Sequence, residues 1–256
     1  MKKSMMLLLS PVVKNKEVHM KLISAIISIF FIFMTVPALS FQADGLIEPH
    51  RVVNLGSPQQ GIISTIDVER GDSIKKGQVL ATLQSEVEMA LVDLKKANKD
   101  FADSKKERME PLYEQELVAP LNMDEAKTMS AIAEAEYKHA YEALRRMKIS
   151  SPINGVVVEL FLSPGEYVEN QPIMKLAEIN PLKIEVILPL DKYGSVRVGT
   201  KARVIPESPI RGEYLATVVI VDRVVDAASG TFGVRLSLAN PSQRLPSGIK
   251  CKVIFP

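Results

Sequence analysis

One short motif occurs twice in this chain, and the interval between the copies constrains the fold more than any other feature. Ser57-Pro58-Gln59-Gln60-Gly61-Ile62-Ile63 is echoed 94 residues later by Ser151-Pro152-Ile153-Asn154-Gly155-Val156-Val157. The offset holds further on: Gly71-Asp72 maps to Gly165-Glu166, Ile74 to Val168, Val79 to Ile173 and Leu80 to Met174. Internal repeats of this kind are read before anything else, because missing them misassigns the whole fold. Each copy alternates apolar residues around Gly-Asp or Gly-Glu turns, which supply backbone freedom and a local acceptor. Strands this short cannot bury a core alone. Two copies facing each other can, so the sequence predicts a flattened β-sandwich whose two halves are separated by a long insert.

The insert, residues 84–149, reads as two helices. Ser85 before Glu86 and Glu88 is a plausible N-cap with acidic first-turn residues. In the first helix, Val87, Leu91, Leu94, Asn98, Phe101, Lys105, Arg108 and Leu112 recur in alternating steps of four and three, the spacing of a heptad seam. Pro111 predicts a kink or fraying there. The second helix has its seam at Met123, Ala126, Ser130, Ala133, Tyr137, Ala140, Leu144 and Met147. Its small residues allow close approach. Each arm of roughly 26–30 residues is about 40–45 Å long. A rod with so little core of its own is built to reach, or to pack against neighbours.

Past Asn180-Pro181, Leu182, Ile184, Val186 and Leu188 alternate with polar residues as in a half-buried strand. Asp191–Val196 reads as a short helical turn. Segments 202–205, 214–225, 231–238 and 249–255 follow as strands punctuated by Gly and Pro. That spacing predicts a small β-barrel. Residues 41–56, with Val52, Val53 and Leu55, supply a strand that joins a later sheet.

The leader sets the compartment. Lys21 precedes the apolar run 22–36, Pro37 ends it, and Ala38-Leu39-Ser40 fits a small-x-small cleavage site, so cleavage is expected between Ser40 and Phe41. Met20 is a candidate true start. The alternative is a retained anchor, although about 15 apolar residues fall short of the roughly 20 that span a bilayer. No Cys follows the run to carry a lipid. An exported chain whose one cysteine is Cys251 fits a bacterial periplasm and excludes an internal disulfide.

These features together resemble a biotinyl/lipoyl domain split by a helical hairpin, which is the arrangement of the periplasmic adaptor (membrane fusion) proteins of tripartite efflux pumps. The resemblance covers nearly all of the chain after residue 44. It implies a mainly β fold: a split lipoyl-like sandwich, an inserted two-helix coiled-coil hairpin and a C-terminal small β-barrel. The domains would be a signal peptide (1–40), an N-terminal strand joining the barrel (41–56), lipoyl-like halves (57–83 and 150–180), the hairpin (84–149) and the barrel (181–256). It implies a non-enzymatic adaptor in the periplasm, associated with the inner membrane. Its partners would be an inner-membrane transporter, RND-type favoured, an outer-membrane channel protein, and further copies of itself in a ring. Many family members continue into a further membrane-proximal domain, which is expected here to be absent or at most a stub made by the N-terminal strand. The alternative within the resemblance is an adaptor of a type I (ABC) protein-secretion or ABC efflux system.

The resemblance also points to the hairpin tip. There the family carries an Arg, a Leu four residues later and a Ser seven residues after that, docking on the outer-membrane channel. Here Arg108 and Leu112 match, Leu117 and Val118 follow, and Ala119 before Pro120 stands where the Ser would be. The serine hydroxyl's hydrogen bond is thereby lost. Leu112, Leu117 and Val118 still make an apolar patch of the kind that marks a partner site, or else they close the end of the seam.

Other chemistries are poorly supported. The first 40 residues hold five Lys and one Glu (+4) of a total net charge of +2, so the remainder carries about −2 and offers no basic surface for nucleic acid. There is no Trp to stack on bases or sugars. His19, His50 and His139 lack ligand partners at metal-site spacing, so no metal is assigned. Met residues can hold soft Cu(I), but Met123 and Met147 fall on the seam and read as core. Asp222 and Asp226 read as turn acids. A carrier module with a covalently attached cofactor needs a Lys on a tight turn between the halves, where the insert stands instead; no cofactor is assigned.

Overall fold

The computed structural model describes residues 40–256; the leader and His19 lie outside them. Twelve strands and two helices are laid out as β1 (Phe41–Leu55), β2 (Gly61–Ile66), β3 (Ser73–Ile74), β4 (Val79–Leu83), α1 (Glu86–Glu114), α2 (Pro120–Arg145), β5 (Lys148–Ser150), β6 (Gly155–Leu160), β7 (Tyr167–Val168), β8 (Met174–Pro189), β9 (Lys201–Pro206), β10 (Tyr214–Val221), β11 (Thr231–Leu238) and β12 (Ile249–Phe255).

The repeat becomes two interlocked copies. β2 and β6 are 94 residues apart at both ends, as are β3 and β7. Each copy lends its short strand to the other: β3 pairs with β6 (Ser73↔Val156, Ile74↔Gly155) and β7 pairs with β2 (Ile62↔Tyr167, Gly61↔Val168). The turn glycines repeat the exchange. Gly71 N–H donates to Val157 O, and Gly165 N–H donates to Ile63 O, both at 2.8 Å. Both glycines have positive φ (97° and 91°), which a side chain would strain. Ser57 and Ser151 close equivalent turns, each receiving the N–H two residues on, from Gln59 and Ile153. Matched positions also share the core: Ile63 with Val157, Ile74 with Val168, and Leu80 with Met174 are all buried in one cluster.

The copies differ where the backbones approach. A Cβ on Gly155 would lie 2.0 Å from the carbonyl oxygen of Ala177, whereas one on Gly61 would meet nothing nearer than 3.5 Å. The first of these glycines is therefore required by space and the second is not.

Six strands close a barrel in the order β1-β12-β9-β10-β11-β8, and β8 returns to β1. All pairs are antiparallel. The alternation read from the sequence is the inward face: Leu182, Ile184, Val186 and Leu188 meet Phe232, Val234, Leu236 and Leu238, with Val253 and Phe255 from β12. A barrel this narrow is filled by its side chains. β10 ends at Val221 rather than Val225; Asp226 instead folds the following loop, accepting hydrogen bonds from the N–H groups of Ala228 (2.8 Å) and Ser229 (3.4 Å).

Two strands belong to both bodies. β1 and β8 stay paired from Gly45↔Val186 in the barrel to Leu55↔Met174 in the sandwich, with one register shift between Pro49 and Arg51. Opposite charges face each other on either side of that shift, Glu48 with Lys183 (3.0 Å) and Arg51 with Glu178 (3.1 Å). Beside it, the buried side chain of Asn240 donates to Ile179 O and Leu245 O and accepts from Leu245 N–H. Its N–H donates to Asn180 Oδ1 (2.9 Å).

Ser85 stands at the start of α1, but its hydroxyl makes no capping bond. Its ψ of 20° lies outside the extended range that aims a capping hydroxyl at the first turn. Pro111 is carried inside α1, which runs three residues beyond it.

Gly155→Ala is expected to destabilise the protein by about 1–3 kcal/mol, the usual penalty for overpacking, and Gly61→Ala by distinctly less. Urea unfolding of the two variants checks this; equal losses would show that the contact at Ala177 is not decisive.

Candidate partner-binding site

The helices pack antiparallel. Lys95 meets Glu136 (2.8 Å), Lys99 meets Glu134 (3.2 Å), and the Ser130 hydroxyl donates to Asp103. On α2 the observed seam is the one read from the sequence, with Met123, Ala126, Ser130, Ala133 and Ala140 buried. On α1 it is displaced by one residue. Val92 and Ala102 are buried, while Val87, Leu91, Leu94 and Phe101 are 77%, 42%, 56% and 64% exposed. The reason lies in the partner: a helix lined with Ala and Ser at its seam accepts small residues at close range. The same rotation places Lys95 and Lys99 over the acids of α2. The larger apolar side chains are turned out onto a flank.

That flank continues across the pair. Leu91 lines a groove with Glu136 and His139, and Lys105 Nζ lies 3.7 Å from Met129 Sδ. Helical spacing sets the exposed Ile132 between those two points. One side of the helical pair thus carries the larger apolar residues Val87, Leu91, Leu94, Phe101, Met129 and Ile132, with Lys95, Lys105, Glu136 and His139 among them. The opposite side carries Tyr141 and the charges of Lys99, Asp103 and Glu134.

Those charges form the polar layer of the seam. Hydrogen bonds from Lys99 and then Ser130 hold the Asp103 carboxyl below the usual carboxylate range, and bonds to Asp103 and Glu134 push the Lys99 ammonium up. The stabilising contribution of Asp103 is present above about pH 4, the ordinary Asp value, and is lost as pH falls through its lowered pKa. That of Lys99 is complete at neutral pH and is lost only at strongly alkaline pH.

The tip is a helix stop of defined chemistry. Leu117 N–H donates to Leu112 O and Glu116 N–H to Tyr113 O, both at 2.9 Å, and Glu116 takes a left-handed φ of 59°. This is the Schellman pattern, whose characteristic apolar pair occupies the positions of Leu112 and Leu117. Gly is the usual residue where Glu116 stands. Both leucines remain exposed, as do Tyr113 and Leu121, and Val118 is half-buried. Ala119 is the extended residue before Pro120, which opens α2. Arg108 is exposed six residues before the end of α1. The apolar patch read from the sequence comprises Leu112, Leu117 and Val118; the structure adds the exposed Tyr113 and Leu121, which flank the same stop.

Elsewhere among the described residues no three His, Cys, Asp or Glu side chains are grouped to hold a metal ion. His50 and His139 are exposed. Cys251 is buried in the barrel, where desolvation, with Asp44 nearby, pushes its thiol up to about 11, so it is not a nucleophile at neutral pH. No described helix is long and apolar enough to cross a membrane.

The doubled sandwich with the helices inserted between its halves is the part that a known family matches, and the barrel strands β9–β12 lie beyond that match. The chain belongs to the CzcB-like barrel-sandwich hybrid family, whose model matches residues 51–178. It is 25% identical over 206 residues to the cobalt-zinc-cadmium resistance protein CzcB of Cupriavidus metallidurans, covering 74% of this chain and 39% of that one. It is 22% identical over 233 residues to the solvent efflux pump periplasmic linker SrpA of Pseudomonas putida, covering 83% and 60%. A chimera of MacA carrying the Pseudomonas aeruginosa MexA α-hairpin domain has the same fold, with a TM-score of 0.72 and 23% identity over 84% of this chain and 81% of that one. The chain spans 38–60% of the length of the curated relatives it matches.

Thermal melts followed by far-ultraviolet circular dichroism are expected to show the parent's melting temperature falling as the pH drops below about 4. In Asp103→Asn the neutral-pH melting temperature is lowered and that acid loss is smaller. An unchanged acid profile would assign the loss to other carboxylates.

Proposed function

We propose that the chain is a periplasmic adaptor that bridges an inner-membrane efflux transporter, RND-type, and an outer-membrane channel for the export of small molecules. The protein has no catalytic role in this reading. The sandwich halves (57–83 and 150–180) are lipoyl-like, the helices form a projecting hairpin, and the mature chain begins at Phe41, held in the periplasm against the inner membrane.

The observation that carries the reading is the exposed apolar cluster of Leu112, Tyr113, Leu117 and Leu121 at the end of a two-helix rod whose arms are 29 and 26 residues long. At about 1.5 Å per residue these reach roughly 40 Å. A channel docks on this tip, with Leu112 and Leu117 as apolar contacts and Tyr113 and Arg108, residue types enriched at interface hot spots, beside them, Arg108 donating to carbonyls. The relatives' names support export, since SrpA is described as a solvent efflux pump linker and CzcB as a metal resistance protein.

The two unlike flanks support assembly into a ring. The larger apolar residues on one side and a Tyr-bearing, charged side on the other make a heterologous contact. Such a contact repeats head to tail and closes when its rotation allows. A symmetric dimer would instead pair like with like.

Leu112→Asp is expected to leave folding and abundance intact and to abolish efflux in a strain that depends on this protein. Full export by that variant at normal abundance would remove the tip from the mechanism. Leu94→Asp combined with Phe101→Asp is expected to reduce self-association, read by analytical ultracentrifugation, while the monomer keeps its circular dichroism spectrum.

A further inference from the structure

The free end of the helical rod carries charge of one sign. From Met109 to Ala126 the chain holds five carboxylates, Glu110, Glu114, Glu116, Asp124 and Glu125, and no Lys, Arg or His. All five are exposed, and none forms an ion pair among the described residues. The nearest cations are engaged further down the rod or stand at its border. Lys105 lies against Met129, Lys106 is within Coulombic reach of Asp103, and Arg108 and Lys127 flank the acidic stretch. Everything after residue 40 carries a net charge of about −2, so outside this end the same chain is about +3.

Three of these acids sit where the helix itself disfavours them. Glu110 and Glu114 are four residues apart on one face of α1, where like charges repel. They fall at its C-terminal end, against the negative pole of the helix dipole, and the last turn holds no basic residue. Glu116 occupies the left-handed position that Gly usually takes. A stop selected for stability alone would carry Lys in the last turn and Gly at 116. Local choices that oppose the fold's own preferences are expected where a surface serves a partner.

Taking the tip docking proposed above, we propose that the partner surface is a protein socket, apolar at its centre and ringed by Lys and Arg, and that the acids select it. Leu112, Tyr113, Leu117 and Leu121 supply the apolar centre, and the carboxylates interleave with them along the chain. That is the division of core and rim found in protein interfaces. Rim charges of one sign set partner choice and the rate of encounter more than affinity. The same charges repel two other occupants. A second copy presenting its own tip meets like charge, so the rods do not dock end to end on each other. An anionic lipid surface is disfavoured for the same reason.

A photo-crosslinking residue at Gln115, exposed and uncharged between Glu114 and Glu116, tests this in the full chain, in a strain that depends on it for efflux. The captured peptide, identified by mass spectrometry, is expected to carry Lys or Arg within one helical turn or two strand residues of the linked apolar side chain. Glu110→Lys, Glu114→Lys and Glu116→Lys together should lower the yield at least tenfold. Reversing the captured basic residues to Glu should restore it. The purified triple variant should melt at an equal or higher temperature, since Lys suits a helix C-terminus, so lost capture is not lost fold. Capture indifferent to the triple variant, or of a segment without basic residues, overturns the proposal. Capture of a second copy of this chain, or of no protein, overturns it too. The Leu112→Asp efflux assay decides separately whether the tip docks at all.

Discussion

Everything in this molecule depends on the pairing of β1 with β8. The two strands are each 15 or 16 residues long and run from the barrel into the sandwich without parting. In the barrel they complete the ring of strands. In the sandwich they back the second copy of the repeat, through β6 against β8. A two-stranded ribbon in water is marginal by itself. Here each half is stabilised by a separate core, and the junction by the cross-strand ion pairs and the hydrogen bonds of Asn240. Pairs that face directly across a ladder set register as well as contributing stability. With opposite charges on both sides of the bulge, a slip of β1 by one residue would separate both pairs and turn Ile47 out of the barrel core.

The helical pair follows a different rule. Its seam is narrow and partly polar, and its larger apolar residues are outside. In an isolated rod that would be an unfavourable choice, since those apolar residues are left in water. It becomes consistent once they are covered by a neighbour, and the polar layer of Lys99, Asp103, Ser130 and Glu134 then fixes which face is offered. Buried or half-buried polar groups at a helix seam are known to select register in this way.

The β architecture was legible because its information is local and repeated. The 94-residue echo carries turn glycines and alternating core positions, and those positions recur in the structure at the same offset. Period-two alternation likewise marked the inward face of β8. The α1 seam was not legible, for a physical reason. A heptad search assumes that the largest apolar side chains face the partner helix, whereas here Ala-lined α2 selects Val92 and Ala102, one residue along from Leu91 and Phe101. Charge could have given the answer, since Lys95 and Lys99 meet Glu136 and Glu134 of α2 only in the shifted register. The turn between the helices was legible as a place, between Glu114 and Pro120, but the exposure of Tyr113 and Leu121 beside it was not, because the helix stop depends on backbone geometry at Glu116.

The shared ribbon also decides how the two β bodies can move. A single covalent linker swivels about many axes, but two paired strands resist twisting and in-plane shear and yield most easily by bending across their width. The bulge between Pro49 and Arg51 is where the ladder is interrupted, so flexing concentrates there. A push on the rod formed by α1 and α2 therefore arrives at the barrel as rocking about one line, and the barrel keeps its rotational phase relative to the rod. In the adaptor role proposed above, that restriction would keep the two ends in step.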